Sequence, residues 1–292
     1  MHSKQLQNFK LTRLCLVACL LLLSYCPNTL AQNAIQYTDE NLEVSYIYAA
    51  ILGTGTYQIK GRRLTMLRLP FRWSKKDAEN TPSRLRWLLP VVLGYDDLDS
   101  IDSDIIDALL PDNLVTLTFL PGVEYRYPVS RKWELKPFIQ AGIGRDFSID
   151  ETIFMTQLGV RSLNLYEPAN KWEIRWGNTL RWAAEYQLES EDQLRLSIFE
   201  TGLDIRYELP VNILNRRSDI GIYYIYQRLI PKWTSSKTTD YRADARSLNE
   251  IGISVGLKNP HTMLGIDVQR LRAGYKTGGS FEGWTLGTSF PF

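Results

Sequence analysis

The chain has 292 residues, 44% of them hydrophobic, with 34 Lys and Arg against 32 Asp and Glu. That near balance excludes a dedicated nucleic-acid binder, which needs a basic surplus to neutralise phosphates. Beyond the amino-terminal region no apolar run reaches the roughly 20 residues of a membrane-spanning helix, so a helical inner-membrane bundle is excluded as well.

In chain order, Lys4, Lys10 and Arg13 precede an apolar run from Leu14 to Leu23, and Thr29-Leu30-Ala31 supplies small residues for cleavage. These are the three regions of a secretory signal peptide, which predicts a removed segment over 1–31 and a mature domain over 32–292. The run is too short for a spanning anchor, and the bulky Tyr25 before Cys26 does not suit lipoprotein processing. All three cysteines, Cys15, Cys19 and Cys26, fall in the removed segment, leaving no thiol, disulfide or cysteine metal site. Cleavage takes away three basic residues and no acidic ones, leaving 31 basic against 32 acidic.

Twelve amphipathic stretches follow, each long enough for a membrane strand of roughly nine residues or more. They are Leu42–Leu52, Tyr57–Trp73, Leu85–Tyr95, Leu114–Tyr127, Trp133–Phe147, Ile153–Tyr166, Trp172–Tyr186, Leu194–Tyr207, Asp219–Leu229, Asn249–Leu257, Met263–Tyr275 and Phe281–Phe292. An even count suits a closed barrel with both ends on one side. The seventh stretch shows the pattern best: Trp172, Ile174, Trp176, Leu180, Trp182 and Tyr186 share one face, and Glu173, Arg175, Thr179, Arg181 and Glu185 the other. The eighth changes phase near Ile198-Phe199, which predicts a bulge.

Pro128–Lys132, Pro168–Lys171, Pro210–Ser218 and Asn259–Thr262 read as short periplasmic turns, since proline ends ladder pairing and the flanking Tyr and Trp favour a membrane interface. The long polar connections Asp96–Asn113 and Ile230–Leu248 are then extracellular. In the last stretch Trp284, Leu286, Thr288, Phe290 and Phe292 form one lipid-suited row, opposite Gly283, Thr285, Gly287 and Ser289. The expected fold is an all-β transmembrane antiparallel up-and-down barrel of about twelve strands, reaching the cell outer membrane after signal cleavage.

That last row resembles the terminal signal strand of bacterial outer-membrane β-barrels. The resemblance implies recognition of Trp284, Leu286, Phe290 and Phe292 by the barrel-assembly machinery. Together with Lys136-Pro137-Phe138-Ile139-Gln140-Ala141-Gly142-Ile143-Gly144, the chain is similar to solitary autotransporter-type β-barrel domains. It departs from working autotransporters: about ten residues between Ala31 and the first stretch are too few for a passenger, or for a linker helix rising 1.5 Å per residue across roughly 30 Å.

His261 is the sole mature histidine and falls in a predicted turn without an oriented nucleophile, so it reads as a turn residue. Asp96, Asp97, Asp99, Asp102, Asp104 and Asp107 lack the order of an EF-hand loop, and Ile105, Ile106, Leu109 and Leu110 among them suit a short amphipathic helix. The inward charges are Glu134, Lys136, Glu173, Arg175, Arg181, Glu185, Arg195, Glu200, Asp204 and Arg206, joined by Glu250, Asp267 and Arg272. Mixed signs suit an ion-paired, constricted lumen better than a selectivity ring. Arg62, Arg63, Arg68 and Arg72 make one wall locally attractive to anions.

The sequence therefore predicts a non-enzymatic barrel with no cofactor and no metal, in an envelope, interaction or narrow-transport role. Its expected partners are outer-membrane lipid, lipopolysaccharide and the assembly machinery. A substrate-specific channel is the alternative, and an outer-membrane lipid-modifying enzyme a second one.

Overall fold

The computed structural model describes residues 53–59, 62–74, 84–96, 114–147, 150–189, 193–213, 216–233, 246–263, 266–279 and 281–292. They form fourteen strands: β1 Thr54–Ile59, β2 Arg62–Trp73, β3 Leu85–Asp96, β4 Leu114–Phe119, β5 Gly122–Tyr125, β6 Tyr127–Ser130, β7 Trp133–Asp146, β8 Glu151–Tyr166, β9 Trp172–Gln187, β10 Gln193–Ile213, β11 Arg216–Trp233, β12 Ser247–Met263, β13 Ile266–Gly278 and β14 Phe281–Gly287. Every pairing is antiparallel between neighbours, and β1 pairs with both β2 and β14, which closes the ring. The strands β4, β5 and β6 share one wall position, because β4 and β5 both pair with β3 and β7. The fold is thus a closed up-and-down barrel of twelve wall positions.

That shared position is interrupted without slipping: Phe119 faces Ile143 and Gly122 faces Gln140, three residues on in both strands. Pro121 has no N–H for a ladder bond, but its carbonyl still accepts from the Ala141 amide at 3.0 Å.

Several predicted boundaries shift. Tyr57–Trp73 is a hairpin and not one strand, with Ile59 opposite Arg62 across the β1–β2 ladder. The predicted first strand, Leu42–Leu52, lies outside the described residues, as do the signal segment and Asp97 to Asp107 of the acidic stretch. Pro210 and Pro260 do not open turns. Each sits where the strand register slips, between Glu208 and Asn212 in β10 and between Gly256 and His261 in β12. A bulge absorbs the missing proline donor and the strand continues to Ile213 or Met263. His261 accordingly lies in β12, opposite Val268.

Alternation sorts the side chains by face. Ile139, Ile143, Leu180, Ile222, Ile253 and Leu271 are more than half exposed on the outer wall. Indole donors there are satisfied sideways, Trp133 Nε1 donating to Ser162 Oγ at 3.0 Å and Trp176 Nε1 to Thr201 Oγ1 at 3.1 Å. An apolar surround offers no water to replace such bonds, so this wall suits lipid.

Candidate functional site

The candidate site is the lumen, which is filled in three levels. For orientation, the loop end carries the β9–β10 turn, and the tail end carries the β8–β9 turn and residues 288–292.

At the loop end the inner wall turns apolar. Tyr57, Leu64, Met66, Val92, Ala183, Leu196, Ile198, Leu229, Leu248 and Phe281 form one buried cluster contributed by eight of the twelve wall positions. The rings of Tyr57 and Phe281 lie 5.3 Å apart across the seam where the ring closes. This apolar layer, termed the septum below, is not where the sequence pattern pointed. The predicted bulge near Ile198-Phe199 does not form, since β10 pairs without a break from Leu194 to Glu208 against β11. Leu196 and Ile198 therefore point inward with Glu200, Asp204 and Arg206, while Arg195 is exposed on the outer wall, 3.5 Å from Gln193 Oε1.

Below the septum lies a network of buried charges centred on Glu250. Its Oε1 accepts from Arg272 at 2.7 Å, Thr285 at 2.8 Å and Tyr223 at 2.9 Å, and Lys276 lies 3.1 Å from Oε2. Lys276 also donates to Gln227 at 3.3 Å, Gln227 to Glu200, and Arg181 to Glu200 at 3.0 Å. The hydrogen-bonded chain thus runs from β9 to β14. On the facing wall Arg161 pairs with Glu124 and stacks 4.1 Å from the Phe138 ring, and Gln157 donates to Gln140 at 2.7 Å. The coupling is mutual, as buried charges require.

The tail end holds the largest departure from sequence expectation. Trp284 and Leu286 face outward, 68% and 58% exposed, but Phe290 and Phe292 are only 7% exposed and lie inside the barrel. They pack on Tyr223 and Ile225, with Leu163 alongside, their own rings 4.9 Å apart. Gly177 and Gly202 stand opposite each other across β9 and β10, and a Cβ on either would overlap the Phe292 ring. The chain leaves the wall for a local reason. Thr54 at the start of β1 pairs with Leu286, so the described part of β1 offers nothing beyond it. Pro291 has no ladder donor, and the last bond to β13 is Arg270 N–H to Thr288 O at 3.2 Å. Lys136 Nζ then donates to the Phe292 main-chain oxygen at 3.4 Å.

Beneath the two rings opens a cavity of about 840 Å³ that reaches the β8–β9 turn. Glu173 Oε1 binds Arg175 Nε at 2.6 Å and Arg206 at 3.0 Å, Arg206 Nε binds Asp204 at 2.7 Å, and Glu134 lies 2.7 Å from Arg126 and 3.1 Å from Lys136. Arg270 pairs with Asp219. Glu185 is buried on the same inner wall, but it does not take Arg181, which bonds to Glu200 instead.

The arginines of β2 divide between faces: Arg63 is exposed, Arg68 and Arg72 are half-buried, and Arg72 lines the cavity. Lys276 lies one residue beyond a predicted strand end, and Arg161, Asp219 and Arg270 are inward charges outside the predicted network. The available signal was parity, since Arg161, Asp219 and Lys276 share a face with Gly159, Gly221 and Gly274 two residues away, and Arg270 shares one with Arg272.

No family model matches the chain, and no curated protein matches it. Among solved structures it is similar to the β domain of the Bordetella autotransporter BrkA, with a TM-score of 0.44 and 11% identity over 80% of this chain and 93% of that one. At that level of likeness nothing about activity, cargo or partners passes from one protein to the other.

Proposed function

We propose that this is an outer-membrane barrel with a closed lumen, serving a non-enzymatic envelope or interaction role, with any transport confined to a narrow path that must first open. The septum of apolar side chains from eight wall positions carries this reading, because dry apolar constrictions stop ion flow. Pairing of the charges beneath it supports the same reading. The apolar outer belt and the indole donors bonded along the wall support the membrane location.

In this reading residues 1–31 are removed during export, the tail end faces the periplasm, and outer-membrane lipid and lipopolysaccharide surround the wall. The assembly machinery reads Trp284 and Leu286 in the outward row before Phe290 and Phe292 settle inside.

The test is conductance in a planar bilayer. Wild-type protein should stay near baseline while a general porin measured alongside opens, and Leu196→Gly with Ile198→Gly should raise the current. A stable ohmic conductance from the wild type would replace the closed-barrel reading with the substrate-specific channel. The one observation that favours that second reading is the excess of cations around the tail-end cavity.

A further inference from the structure

The tail-end cavity is lined by more cations than carboxylates. Nine Lys and Arg side chains line it against five carboxylates. All five are already engaged: Glu134 with Arg126 and Lys136, Glu173 with Arg175 and Arg206, Glu167 with Lys132, Glu208 with Arg217 and Asp219 with Arg270. Two of the acids are each shared by two of the lining cations, and although Arg86 and Arg206 also reach Glu124 and Asp204 beyond the lining and Lys136 reaches the Phe292 main-chain oxygen, cations outnumber carboxylates around the cavity.

Donors are in surplus too. A guanidinium carries five N–H bonds in a rigid fork. Arg175 uses only Nε, toward Glu173, and Arg126 only Nε, toward Glu134. The terminal nitrogens of both have no hydrogen-bond partner among the described residues, and both side chains line the cavity. Forked donors left open in this way match a carboxylate or phosphate edge. The inner end is different, since Phe290, Phe292 and Leu163 supply an apolar floor. The volume lies within the few hundred to roughly 1,000 Å³ typical of small-ligand pockets.

We propose that this cavity is a binding site for a soluble multivalent oxyanion, a polycarboxylate or a phosphate compound, held by Arg175 and Arg126 with its less polar flank on Phe290 and Phe292. The inference rests on the closed-lumen reading only in treating the cavity as blind, so binding and conductance are measured separately. A porin-like current would overturn closure and leave the binding result standing.

The experiment is calorimetry on the full barrel refolded in non-ionic detergent at low salt, titrated with citrate and with inorganic pyrophosphate. Saturable one-to-one binding of either is expected, and which of the two binds more tightly assigns the carboxylate or the phosphate class. Arg175→Gln and Arg126→Gln should each weaken it about tenfold or more, whereas Arg145→Gln at the loop end should not change it. If Arg175→Gln fails to fold, as judged by its heat-modifiable gel mobility, Arg126→Gln at the cavity mouth carries the test. Absence of binding for both anions overturns the proposal. So does equal weakening by Arg145→Gln, which would mean diffuse attraction to the whole surface.

Discussion

The ring of Phe292 fills the notch where Gly177 stands opposite Gly202. A Val at position 177 cannot share that space, so Gly177→Val should expel the ring and expose it, costing about 1.5–3 kcal/mol of stability. In a Phe292→Ala background the notch is already empty, and the same substitution should cost under about 1 kcal/mol. Urea unfolding in micelles measures both. Equal costs in the two backgrounds would mean that the ring does not occupy the notch.

Glu250 holds two cations in a dry place, with Lys276 and Glu250 each about 2% exposed. Glu250→Gln should therefore cost about 3–5 kcal/mol, the range for orphaning a buried charge. Adding Lys276→Met should return part of that loss, because a buried ammonium that has lost its carboxylate is removed, although it still donates to Gln227. A double variant less stable than Glu250→Gln would show that Lys276 contributes packing and not pairing.

At the loop end Glu189 fastens two hairpins. Its Oε2 accepts the Thr152 amide at 2.7 Å, Oε1 lies 3.3 Å from Arg145, and its own amide donates to Glu151 at 2.8 Å. The backbone bond from Thr152 is the largest influence, and it holds the Glu189 carboxyl down at about 2. A lowered folded value means that the clip is at full strength above the ordinary carboxylate range near 4.5 and is lost as pH falls through about 2. Carbon-13 titration of the Glu189 carboxyl should give a midpoint well under 4. An ordinary midpoint would show that the clip does not persist in solution.

Orientation can be read with two cysteines. Leu188 in the β9–β10 turn and Ala169 in the β8–β9 turn are exposed at opposite ends of the barrel. On intact cells Leu188→Cys should react with an impermeant maleimide, and Ala169→Cys only after the outer membrane is permeabilised. The unaltered chain should show no label if residues 1–31, which hold all three cysteines, are gone. Reversed labelling would invert the proposed topology.

The wall was largely legible in the sequence because side-chain parity survives errors in strand ends. Three ion pairs were legible for the same reason: Glu134 with Lys136, Glu173 with Arg175, and Asp204 with Arg206 are two residues apart on one strand face, roughly 7 Å along the chain. Pairs across strands depend on register and were not. Arg181 and Glu185 share a face but lie four residues apart, roughly 13 Å, whereas Glu200 on the next strand is within reach at 3.0 Å. The assumption that a barrel interior must be polar hid Leu196 and Ile198, whose inward apolar pair imitates a change of phase. It hid the tail as well, because alternation alone places Phe290 and Phe292 outside, and only the Gly177 and Gly202 pairing makes room for them inside.

The septum also bears on how the barrel reaches its native state. Tyr57 lies in the first described strand and Phe281 in the last, yet their rings lie 5.3 Å apart within the apolar cluster. Contacts of such wide sequence separation demand that nearly the whole chain be threaded before they contribute, which makes folding slow and late-committed. Ring closure and core formation are then one event, and a chain halted before β14 keeps an unfilled interior however many hairpins it has already made.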